Sequence, residues 1–416
     1  MFDFAKRKVC ANQLTSMIKG IAALTPTLLL TLMFTSCMSD GYTDTAAGKS
    51  DTYINLNVST PTAQARANAP AGSTTGTSGS PGQDETSPNP TEEEKIYSIR
   101  VWAFKSNTDE NAMPIGFKAE TGLSATGSHN VSMKLLRKAA GNLESIDLYI
   151  LLNAESIDVL NGSDCNTMTR KALKEATFDS NFGIKTDGSP QATTVPAKGL
   201  PISRVITNIN VKDNIADNAA AAAANPVSVP LVRAVSKLHF FFARKTGNNT
   251  ESVTVTRIEV NGETLTAASP VFPEAATNAE KDTKGLKGSF NGLTYLTKNL
   301  IFGGIATDQI KPVDDPKTYI RQPREKAQDY MNRLSYLQEG CKSYLRETDK
   351  TITGKIYFKS NASLAERSVK FEIPEAYRNH ELVVYGYFSG EAFLDLNLRY
   401  YVAGWNEKGT TNIEFN

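Results

Sequence analysis

The stretch YINLNVSTPTAQARANAP, from Tyr53 to Pro70, holds two opposite instructions. Ile54, Leu56 and Val58 alternate with Asn55, Asn57 and Ser59, the period-2 pattern of a strand with one apolar face. From Pro61 the pattern stops. Residues 67–95 (ANAPAGSTTGTSGSPGQDETSPNPTEEEK) are low-complexity and cannot bury enough apolar surface to fold. A half-buried strand is therefore tied to the rest of the chain by a flexible leash. Arg66 stands at the start of that leash. It is the first basic residue after Lys49, and the next, Lys95 and Arg100, come only where order returns. A protease can reach such a position; the other reading is a linker residue without a role.

Upstream lies a leader. Lys19 precedes an apolar run from Ile21 to Phe34, followed by Thr35, Ser36 and Cys37. A charged n-region, a short h-region and small residues at the junction make residues 1–36 a signal peptide. The run is too short, and too interrupted by Thr and Pro, for a comfortable membrane span. Met17 is a second candidate start. A cysteine directly after the junction looks like a bacterial lipobox, in which the Cys37 thiol takes a lipid and becomes the new N-terminus. A lipid chain anchors by about 0.8 kcal/mol per buried methylene. The competing reading is an ordinary cleaved signal with a chance cysteine.

The chain has 416 residues, which suits two domains rather than one core. Its formal net charge of +1 gives no electrostatic case for a nucleic-acid partner. IYSIRVWAF (Ile96–Phe104) and IDLYILLNA (Ile146–Ala154) read as strands. So do VSVPLVRAVSKLHFFFAR (Val227–Arg244), SVTVTRIEVNG (Ser252–Gly262) and four later segments, KIYFKS, VKFEI, ELVVYGYF and FLDLNLRYYV. Helical spacing is confined to Thr167–Phe178 and to Pro323–Gly340, where Ala327, Tyr330, Met331, Leu334 and Leu337 share a face. Asp217–Pro226 is an alanine-rich loop or short helix. Short strands and frequent turn signals predict an all-β fold of sandwiches, with a first domain at 96–226 and a second at 227–416.

Candidate chemistry is sparse. His129, His239 and His380 have no neighbours at metal-ligand spacing, and His239 reads as a half-buried sheet residue. Cys165 and Cys341 are isolated and read as free or buried thiols more readily than as a pair. No G-x-S-x-G, H-E-x-x-H, P-loop or G-x-G-x-x-G occurs. Trp102 and Trp405 could stack on sugars but sit in strand patterns and read as core. Neither an enzyme nor a cofactor is expected.

Several landmarks then coincide: Cys37 before a short apolar strand and Arg66, IYSIRVWAF before LYILLNAE, GLPIS before VPLVRAVSKL with Arg233 and Lys237 four apart, and RNHELVVYGYFSG (Arg378–Gly390) before LDLNLRYYVAGW and NIEF. In this order they resemble the fimbrillins, the pilins of Bacteroidetes type V fimbriae, over nearly all of the chain after Cys37. The resemblance implies two transthyretin-like β-sandwiches. It implies an outer-membrane lipoprotein precursor whose propeptide (37–66) carries a plug strand, Ile54, Leu56 and Val58. An arginine-specific protease would cut after Arg66 and leave Ala67 as the mature N-terminus. A C-terminal strand of another subunit would then fill the groove. Leu394, Leu396 and Leu398 alternate with Asp395, Asn397 and Arg399, echoing the plug, and Trp405, Ile413 and Phe415 follow. These residues either form the donor or close their own domain. Expected partners are other pilin subunits, the outer membrane through the lipid, the protease and a host or bacterial receptor. A tip adhesin, a glycan-binding surface lipoprotein and a fimbrial anchor are the alternatives.

Overall fold

Apolar alternation organises the described residues into twenty strands, labelled here in chain order. The computed structural model describes residues 52–60, 92–135 and 144–404, with breaks in the last range at 163, 179–184, 186–187, 192–193, 211–214, 217–218, 225, 248–250, 273–291, 326, 338 and 362. Cys37, Arg66, Ala67, Trp405, Ile413 and Phe415 lie outside the described residues.

The first half carries β1 (Thr52–Ser59), β2 (Lys95–Lys105), β3 (Gly116–Thr126), β4 (Ser128–Leu135) and β5 (Ser145–Leu152). It continues with helix α1 (Arg170–Lys174), β6 (Thr177–Phe178), β7 (Ile202–Asn210), β8 (Ile215–Ala216), helix α2 (Ala219–Ala224), β9 (Val227–Pro230) and β10 (Val232–Arg233). One sheet runs β10-β7-β5-β2-β3; the facing sheet holds β4, β1, β8 and β9. Between them lies an apolar core that includes Ile54, Leu56, Val58, Ile99, Val101, Val131, Met133 and Ile150. Apart from β6, which pairs with Ser269–Pro270 of the second half, the strands from Thr52 to Arg233 thus share one sandwich.

The second half carries β11 (Ser236–Lys245), β12 (Val253–Val260), β13 (Ser269–Pro270), β14 (Leu300–Phe302) and β15 (Lys311–Val313). Helix α3 (Ala327–Leu334), β16 (Glu339–Leu345), β17 (Ile352–Ser360), β18 (Ser363–Ile373), β19 (His380–Ser389) and β20 (Asp395–Gly404) complete it. The sheet β15-β11-β19-β20, with β16 also paired to β11, faces the sheet β14-β12-β17-β18. Phe240, Phe242, Phe302, Phe358 and Phe388 fill the core between them. The architecture is all-β, two sandwiches in one chain.

Two helices are shorter than their spacing predicts. Arg324 takes a left-handed φ of 66°, and Gly340 lies in β16, which pairs with β11, so the second helix keeps only Ala327–Leu334. The sheet pairing outweighs a weak helical preference. The first keeps Arg170–Lys174, capped by Thr169, whose Oγ1 accepts the Ala172 N–H at 3.2 Å.

The RNH segment ties the two sandwiches together. Arg378 and Glu347 are both buried, their charges 2.7 Å apart. Arg378 also donates to Ser203 Oγ on β7 at 3.3 Å and to the Pro270 carbonyl on β13 at 2.9 Å. A second buried charge group gathers where the chain re-enters after the leash. Lys237 on β11 meets Glu93 at 3.2 Å and Glu381 at 3.4 Å, and His239 Nδ1 lies 2.9 Å from Glu381.

Candidate functional site

The plug residues Ile54, Leu56 and Val58 are each fully buried. Their alternation puts all three on the core face of β1, as a strand's two-residue period requires. β1 pairs antiparallel with β4 along its whole length, from Thr52 opposite Leu135 to Ser59 opposite Ser128. Its other edge is shared: Tyr53 and Ile54 pair with β8, while Leu56–Ser59 run parallel to β9. Among the described residues, every ladder of that sheet runs to β1. β4, β8 and β9 do not pair with one another. β1 is thus the hub of its sheet, although the chain joins it to β2 only through residues 60–94.

Both ends of that connection meet at one glycine. The Thr60 N–H donates to the Gly127 carbonyl at 2.8 Å, and its Oγ1 donates to the same oxygen at 3.2 Å. The Gly127 N–H donates to the Glu94 carbonyl at 3.1 Å. Gly127 turns between β3 and β4 with φ +78°, a conformation natural to glycine. The leash leaves and returns beside one residue, so its two ends lie close together.

Burying three side chains of this size contributes roughly 5–9 kcal/mol, at about 1.5–3 kcal/mol each. That is an upper figure, because an unfolded chain already buries part of its surface. Without β1, Val131, Met133 and Val229 would face a groove with unpaired backbone on both sides. Such an edge recruits a new strand.

The proposed donor residues divide. Leu396 is buried and Leu398 packs half-buried against the core of its own sandwich, while Leu394 precedes β20 and is half-buried. β20 pairs antiparallel with β19 over ten residues, from Asp395 opposite Ser389 to Gly404 opposite His380. It is the edge of its sheet. Trp405, Ile413 and Phe415 continue beyond the described residues.

The other singled-out residues are core or surface. Trp102 is fully buried and donates from Nε1 to the Cys165 carbonyl at 2.7 Å. Cys165 and Cys341 are buried and are not joined in a disulfide. His239 is buried beside Glu381, His129 lies 2.9 Å from Glu120, and His380 Nδ1 lies 2.9 Å from the Arg378 carbonyl. Sequence reading missed the hub role of β1 and the packing of the alanine helix, offered there only as a loop or short helix, against it. Pairing partners about 75 or 170 residues away leave no local signature.

No family model matches the chain, and no curated protein matches it. Solved structures do resemble it. The tip fimbrial protein Mfa3 of Porphyromonas gingivalis, truncated at its C-terminus, is 11% identical with a TM-score of 0.47, over 85% of this chain and 100% of that one. A fimbrial assembly protein of Parabacteroides distasonis is 13% identical with a TM-score of 0.41, over 88% and 100%. A fimbrilin of P. gingivalis is 10% identical with a TM-score of 0.40, over 75% and 92%. These solved structures with which the chain shares a likeness are fimbrial proteins of the Bacteroidetes.

Proposed function

We propose that this chain is the precursor of a fimbrial subunit with a structural, non-catalytic role at the cell surface. One observation carries the reading: the strand with the weakest covalent tie to the fold is the hub of a sheet. Export as a lipoprotein on Cys37 delivers the precursor to the outer membrane. Cleavage after Arg66 leaves Ala67 as the N-terminus and β1 held by non-covalent contacts alone. A C-terminal strand of another subunit replaces it, and repetition builds the fibre. The partners are other subunits and an arginine-specific protease, with a receptor at the fibre's distal end.

The test is cleavage of the full-length, lipid-free precursor by an arginine-specific protease, followed by intact mass and a non-boiled denaturing gel. One product starting at Ala67 with a ladder of oligomers is expected. A chain left intact at Arg66, uncut or cut only at arginines from Arg100 onward, would refute maturation at this site. A binding role at the fibre tip is the second reading. It is favoured by Tyr336, 59% exposed and stacked on Tyr319 at 6.2 Å, with the Lys311 ammonium 3.8 Å from its ring. A cut product that stays monomeric would select it.

A further inference from the structure

The outward face of β1 is partly covered as well. Asn55 points away from the apolar core, yet is only 6% exposed. α2, built only of alanine, lies against β1 and β4 and is the element assigned here to cover Asn55. α2 also connects β8 to β9, the two segments sharing one edge of β1. Two residues on, Asn57 lies opposite Asn130, and its Nδ2 donates to the Asn130 Oδ1 at 2.7 Å. A large side chain at the position of Asn55 would meet α2. An apolar one at the position of Asn57 would lose this cross-strand bond and leave the exposed Asn130 amide to water.

Ladder hydrogen bonds are made by backbone and cannot tell one strand from another; side chains set specificity. The inward face asks only for alternating apolar residues, which most strands of this chain supply. Discrimination therefore falls to the outward face. We propose that α2 and Asn130 select the strand that replaces β1, admitting a short polar residue at the position of Asn55 and an amide at that of Asn57, and that the occupant is residues 394–400 of a second copy of this chain. The assignment rests on the strand-replacement reading above.

The occupant follows from the chain itself. Leu394-Asp395-Leu396-Asn397-Leu398 overlays Ile54-Asn55-Leu56-Asn57-Val58 residue by residue. Three apolar positions match, Asp395 takes the place under α2, and Asn397 takes the place opposite Asn130. Asn397 already acts as an amide donor, to Ser389 Oγ at 2.9 Å. Among the described residues β20 pairs with one strand, β19, so leaving its own sheet breaks one ladder and withdraws Leu396 from its core.

The test uses the full chain with a specific protease site placed in the leash, which makes it independent of Arg66, and a fluorophore ahead of Thr52. After the cut, displacement of the labelled fragment is measured with peptides 52–60, 393–401 and 405–416. Peptide 393–401 is expected to displace it. Asn397→Ala in the peptide weakens displacement about fivefold, the value of one amide hydrogen bond, and has no further effect on a chain carrying Asn130→Ala. Asp395→Trp weakens it more. Equal displacement by both variants would overturn selection by the outward face. Displacement by 52–60 or 405–416 but not by 393–401 would overturn the occupant. Failure of every peptide, 52–60 included, would overturn strand replacement itself.

Discussion

Replacing Leu56 with alanine tests the hub most directly. Leu56 is fully buried, opposite Val131 on β4 and Val227 on β9, midway along β1. Both neighbours are fixed in their own sheet positions and cannot collapse fully into the space left. Loss of a buried leucine side chain costs about 2–5 kcal/mol. In the intact chain that lowers the urea midpoint of the first sandwich. In a chain cut within the leash the same energy acts on retention of the fragment. Its dissociation should accelerate by about 30-fold to several thousandfold, at roughly 1.4 kcal/mol per decade. Fluorescence of a label ahead of Thr52 follows the release. Asn57→Ala, on the outward face of the same strand, is the control and should change the rate only about fivefold. If Leu56→Ala releases the fragment no faster than Asn57→Ala, β1 is not held by its apolar face and the plug assignment fails.

Other consequences are open to measurement. Arg378→Met leaves the Glu347 carboxyl buried without its charged partner and should destabilise the chain by about 3–5 kcal/mol in denaturant titrations; a loss under 1 kcal/mol would show that the joint does not depend on this pair. Burial opposes ionisation of Glu381, but Lys237 and His239 overcome it and hold the carboxyl at about 2, below the ordinary 4.5. A lowered carboxylate stabilises the fold above its unfolded value, so stability should fall as pH drops from about 4.5 towards about 2. Glu381→Gln should flatten that limb, and an unchanged acid profile in thermal melts would count against it. Gly127→Ala strains the turn that anchors both ends of the leash, and should cost about 1 kcal/mol and raise hydrogen exchange at the Thr60 amide.

Much of the fold was legible because alternation survives in strands with one wet face. β1 and β12, with Val253, Val255, Ile258 and Val260 buried, are read directly from it. β2 was harder. Its polar positions, Ser98 and Arg100, look solvent-facing in sequence, yet both are buried. The loop after β5 brings Glu155 to within 2.9 Å of Arg100, and Phe272 from the second half packs edge-on to Trp102 at 6.1 Å. A sheet covered on both sides by distant segments hides its second buried face behind paired charges. The RNH segment was visible as a landmark, but its task was not, because Glu347, Ser203 and Pro270 come together only in the fold. At the candidate site the inward triad was legible residue by residue. The Asn57–Asn130 pair and the cover of α2 depend on register across 73 residues, which no local pattern encodes.

The meeting of Thr60 and Glu94 at Gly127 has a consequence for what can be built into this protein. Because the intervening segment begins and ends beside one residue, its length carries no geometric duty. Each doubling of such a loop costs only about 0.6 kcal/mol in closure entropy. A reporter peptide, or a small folded cargo with neighbouring termini, grafted between residues 70 and 90 would ride on the chain without stretching the sandwich beneath it.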